Sequence, residues 1–128
     1  MMKSFGVAVL AGLLTVSAAI AAEHKHEQSK AAAKTASFSG ELVDMACFMK
    51  HDGRGAKHAS CAQMCVKGGA PLGVHTKEGQ VYLLINDHGN EKPFAQAKLL
   101  AGGNAIVTGE VVSRGGVQAI IVSKVEKL

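Results

Sequence analysis

The chain of 128 residues has no Trp and a single Tyr. Platforms for stacking nucleic-acid bases are therefore sparse. It also lacks the local signatures of common enzymes: there is no G-x-S-x-G, no Walker loop and no H-E-x-x-H. The C-x-x-C of thioredoxin-like redox sites, the paired C-x-x-C of zinc ribbons and the C-x-x-C-H of covalent haem are missing too. A large charge of one sign is absent. The formal charge is +4, and removal of Lys3 with a leader would lower it to +3. Part of that charge lies in the tail Glu23 to Lys34, so the folded part is near neutral and a polyanion-binding surface is not indicated. These absences argue against nucleic acid as a partner and leave no residue assigned as catalytic.

What is present begins with an export signal. Lys3 puts a positive charge near the start, and Phe5 to Ile20 is apolar, broken only by Gly, Thr and Ser. Ala19-Ile20-Ala21 then supplies small residues for a cleavage site after Ala21 or Ala22, so residues 1–22 read as a signal peptide. The apolar run falls short of the roughly 20 residues of a comfortable span, so no stable membrane insertion is expected after cleavage. No Cys stands near the cut, which argues against a lipid anchor. A cut after Ala22 leaves about 106 residues, enough for one domain with one core in a periplasmic or secreted protein. Residues 23–37 are polar and Ala-rich and read as a lead-in, with His24 and His26 as solvated side chains.

Residues 38–128 alternate between strand and turn signals. Phe38 to Met45 reads as a strand, Lys50 to Gly55 as a loop, and Ala56 to Lys67 as a helix stopped by Gly68-Gly69. Leu72 to Thr76 and Val81 to Asn86 form a hairpin. Pro93 to Leu100 suits a short helix with Pro in its first turn. Ala105 to Ser113 and Val117 to Val125 form a second hairpin around Arg114 to Gly116. In the last strand Val117, Ala119, Ile121, Ser123 and Val125 share one face by simple alternation. Five strands, with one helix after the first and another between the third and fourth, give a mainly β fold: a five-stranded OB-like barrel. Barrel closure removes strand edges, and Gly40 and Gly109 sit inside strands where a small barrel must bend. An open α+β sandwich of the same elements is the rival.

All three cysteines lie between Asp44 and Cys65. An odd count in an exported chain means one bridge with a thiol left over, or thiols that share a metal. His58, Cys61 and Cys65 stand three and four apart, so a helix places them on one face. Cys47 follows the first strand, and the loop between is long enough to return it to that face. The resulting Cys₃His set, Cys47, His58, Cys61 and Cys65, matches a known tetrahedral zinc arrangement. Soft sulfur ligands favour copper(I) or zinc, with Met64 or Met49 as substitute ligands if copper is the ion. Two other readings stay open: a disulfide from Cys47 to Cys61 or Cys65 with one free thiol, and inert burial. Lys57 and His58 upstream of Cys61 also leave room for thiol–disulfide exchange. Asp44 and Glu41 do not share a strand face, and nothing in the sequence ties them to a base. His51, His75 and His88 read as surface or loop residues.

The strings G-E-L-V-D-M-A-C at Gly40 to Cys47, H-A-S-C-A-Q-M-C at His58 to Cys65 and G-G-A-P-L-G at Gly68 to Gly73 resemble those of small exported bacterial proteins with an OB-like domain. Val107 to Val122 is similar to the last hairpin of OB-like domains. The resemblance spans roughly Phe38 to Val125. It implies the fold and cysteines gathered together, and it carries no reaction. The sequence thus predicts an exported barrel that binds a soft metal ion through Cys47, His58, Cys61 and Cys65. The alternative is an OB module that binds a ligand or another exported protein, its cysteines serving as a staple.

Overall fold

The computed structural model describes residues 34–128; the signal-peptide reading and most of the lead-in lie outside them. The described chain runs β1 (Lys34–Asp44), α1 (Met45–His51), a 3₁₀ turn (Ala56–His58), α2 (Ala59–Lys67), β2 (Leu72–Thr76), β3 (Val81–Ile85), α3 (Lys92–Leu99), β4 (Asn104–Arg114) and β5 (Val117–Lys127). The strands close into a barrel in the order β1-β2-β3-β5-β4, as the OB-like reading required. All pairs are antiparallel except β3 with β5. That parallel pair is where a barrel of this connectivity closes, and α3 followed by β4 makes the crossover it needs.

β1 holds the barrel together because it is long enough to serve two neighbours. Its first part, Lys34 to Glu41, pairs with β4, and its second, Gly40 to Asp44, pairs with β2. The strand therefore starts four residues before Phe38. Lys34 to Ser37 is mostly exposed and polar, so it shows no apolar alternation, yet its backbone completes the ladder with β4. The core is mainly aliphatic: Leu42, Leu72, Val74, Leu84, Val107, Ile120 and Val122 are its main buried members, joined by Ala97 of α3 and by Ala101 just after it. Phe38 stacks on Tyr82 at 4.5 Å, using the only Tyr of the chain as part of the same wall.

Simple alternation fails in β5, and a bulge explains it. Thr108 pairs with Lys124, but Gly109 pairs with Val122, so Ser123 is an extra residue. The insertion shifts the parity, and Val125 joins Ile120 and Val122 in the core instead of facing away from them. Gly109 is required at this bend because a Cβ there would run into the backbone carbonyl of Ile121 and the side chain of Ile120.

Between β1 and β2 the chain departs from the sequence reading in a second way. Met45–His51 is helical, so helix replaces the first part of the expected loop. The second helix starts as a 3₁₀ turn, with α2 proper beginning at Ala59. α2 packs on the barrel through Ala62 and Val66. On its other side Gln63 and Lys67 face Ala95, Lys98 and Leu99 of α3 across a groove of about 460 Å³. Among the described residues, no helix is long and apolar enough to cross a membrane.

Replacing Gly109 by Val should cost about 3 kcal/mol through forced backbone movement, and Ile120→Ala a similar amount through the cavity it leaves. Urea denaturation should show both as a lowered midpoint with an unchanged slope.

Candidate metal centre

The site is assembled at the point where β1 ends. Asp44 is the last residue of β1, pairs with Leu72 of β2, and is 0 % exposed. A buried carboxylate needs partners, and each of its oxygens has one. Oδ1 accepts the backbone N–H of Cys47 at 2.8 Å, capping α1. Oδ2 accepts from Nε2 of His58 at 3.1 Å. Burial alone would push the Asp44 carboxyl up, but the Cys47 amide and the His58 ring outweigh it and hold the group below its ordinary value.

α1 has no buried residue, so packing does not specify it. Its ends do. Asp44 caps the start, and Asp52, with φ of 54°, closes the end by donating its N–H to the Phe48 carbonyl at 2.9 Å. The chain then turns sharply. Gly53 lies so close to the site that a Cβ would sit 2.9 Å from the Cβ of Cys47 and from Cε1 and Nε2 of His58. Only a residue without a side chain lets the thiol and the imidazole come together there. Glu41 accepts the N–H of Gly55, and Gly55 accepts that of His58, which fixes the entry into the 3₁₀ turn.

The three sulfurs converge. Sγ of Cys65 lies 4.0 Å from Sγ of Cys47 and 4.0 Å from Sγ of Cys61. The Cys61–Cys65 approach follows from the i, i+4 spacing along α2; the Cys47 approach follows from α1. All three are half-buried free thiols, so the staple expected in the alternative reading is not formed in this structure. The possible ligand atoms fall into two overlapping groups, each within 4.8 Å internally: Cys47, Cys61 and Cys65 in one, and Asp44, Cys47 and His58 in the other. His58 thus groups with Cys47 and Asp44, while Cys61 and Cys65 group with Cys47 but not with His58. Met49 and Met64 are 73 % and 69 % exposed. His51 approaches the edge of His58 at 5.8 Å, and His75 packs against Phe48 at 5.3 Å.

The electrostatics favour a cation. Burial, the nearby Asp44 carboxylate and Cys65 push the Cys47 thiol from 9.0 up to about 12. Burial, with Cys61 next to it, also pushes Cys65 up. Gathering several potential anions without a counter-charge is unfavourable, and a bound metal ion would reverse that balance.

Asp44 is the candidate site residue that the sequence reading left unassigned. Its signal was present: an Asp at a strand end, three residues before a backbone N–H that needs an acceptor, is a helix N-cap pattern. No family model, curated protein or solved structure matches the chain.

Two outcomes follow. Asp44→Ala should lose about 1 kcal/mol or more through the missing cap, whereas Asp44→Asn keeps an oxygen for the Cys47 amide and should lose less; thermal unfolding distinguishes them. In the metal-free protein the raised Cys47 value means the folded state holds its proton longer than the unfolded chain. The Cys47 contribution to stability should therefore be unchanged below pH 9 and fall as pH rises from 9.0 toward about 12. Denaturant titration across that range should show a shallower fall in Cys47→Ala.

Proposed function

We propose that the chain is an exported protein that binds a soft metal ion, copper(I) or zinc, with Cys47, Cys61 and Cys65 as thiolate ligands. The observation that carries this reading is the pair of 4.0 Å sulfur separations meeting at Cys65. For a metal–sulfur bond of about 2.3 Å, the sulfur–sulfur edge is about 3.8 Å in a tetrahedron and about 4.0 Å in a trigonal plane. Two of the three sulfur–sulfur edges already have that spacing, and the third lies within 4.8 Å. Thiolates are soft donors, which selects copper(I) and zinc over magnesium, calcium or manganese.

Handling of the ion fits the site better than holding the fold does. The cysteines lie outside the aliphatic barrel core, which closes through its own strands. What the ion would order is α1, the helix without buried residues. Half-buried sulfurs at the end of a closed barrel remain within reach of a ligand-exchanging partner. The leader at residues 1–22 supports a periplasmic or secreted location, where a free thiol cluster gains protection from oxidation by binding metal.

Anaerobic titration of the reduced full chain, with competition against a chromophoric chelator, should give tight binding of copper(I) or zinc. Cys65→Ser should reduce affinity at least 100-fold, because Cys65 touches both other sulfurs. Affinity should also fall as pH drops, since metal must displace thiol protons. Three freely titrating thiols and no metal uptake at neutral pH would end the proposal.

A further inference from the structure

We infer that the cluster holds two metal ions bridged by the Cys47 sulfur, one in an all-sulfur site and the other in a mixed sulfur, nitrogen and oxygen site. This rests on the metal-binding reading above and deepens it.

The geometry points to this because Cys47 belongs to both groups of ligand atoms. Cys61 and Cys65 approach its sulfur from α2, while Asp44 and His58 approach it from the end of β1 and the 3₁₀ turn. A single ion at the centre of the three sulfurs leaves the Asp44–His58 pair without a function in coordination. That pair is itself spaced as ligands are. Its 3.1 Å separation approaches the edge of about 3.4 Å expected for nitrogen and oxygen donors at about 2.1 Å from one ion. A second ion would take the place of the proton now shared between Nε2 and Oδ2, with the imidazole N–H moving to Nδ1. Gly53 keeps this corner clear, since any side chain there would occupy the space between Cys47 and His58.

Charge supports the same count. Three thiolates and the Asp44 carboxylate carry four negative charges, which two divalent ions balance. One divalent ion would leave a net charge of minus two in a partly dehydrated site, a costly arrangement. Thiolate sulfur has lone pairs for two metals, and a carboxylate and an imidazole suit a borderline ion such as zinc. The all-sulfur site is the softer of the two.

Cadmium(II), a soft, spectroscopically visible divalent ion, provides the test. Native mass spectrometry of the reduced full chain with excess cadmium should show two ions per chain. ¹¹³Cd NMR should show two resonances, the more shielded one from the mixed site, split by scalar coupling through the shared sulfur. His58→Ala should lose the mixed-site resonance and retain the all-sulfur one. Asp44→Asn, which preserves the α1 cap, should weaken the second ion at least 10-fold while leaving the first. A plateau at one ion in the unsubstituted protein would overturn the two-ion site and leave single-ion binding standing. A plateau at zero would remove both. Two resonances without coupling, or two ions retained in His58→Ala, would overturn the bridge.

Discussion

The buried carboxylate of Asp44 is the constraint on which the candidate centre depends. With no exposed surface, it cannot rely on water, and each oxygen is committed to a different element. One holds the first turn of α1, and through it the position of Cys47. The other holds the His58 ring, and through it the entry into α2. Removing the carboxylate would release both attachments, so the spacing of sulfur and imidazole is set by a residue at the end of a strand. The barrel makes this possible by fixing where that strand stops: Asp44 pairs with Leu72, and the N–H of Met45 donates to the Pro71 carbonyl at 2.8 Å.

The division between scaffold and site is clear in the packing. The aliphatic core is enclosed by strands, by α3 and by the Ala62–Val66 face of α2, while the segment from Met45 to His58 contributes only Gly53 to the buried set. That segment is shaped by hydrogen bonds and turns, which respond to local chemistry more readily than a packed core does. A bound ion would therefore act on a pliable cap over a rigid barrel.

Much of the fold was legible because hairpin turns and apolar strand runs leave strong local patterns. β2 matched the sequence reading residue for residue, and the strand order followed from the order of elements. The departures have physical causes. The start of β1 is polar because one backbone ladder, and not burial, holds it. α1 is short and shows no apolar stripe, so only its end residues, Asp44 and Asp52, mark it. The bulge at Ser123 depends on how β4 and β5 register against each other, which alternation along one strand cannot reveal. At the site, the i, i+4 spacing of Cys61 and Cys65 was readable, as was the return of Cys47. The Asp44–His58 contact was not, because it joins residues brought together by the turn at Gly53.

One feature of α2 reaches beyond the sulfur cluster. Residues 61 and 65 face the cluster, and residues 63 and 67, about half a revolution away, form a wall of the groove shared with α3. A helix of nine residues moves as a stiff rod. A tilt that drew the two sulfurs inward would carry Gln63 and Lys67 with them and alter the cleft they line. Because Ala62 and Val66 of the same helix are buried against the barrel, such a tilt would also have to be accommodated by the packing beneath it.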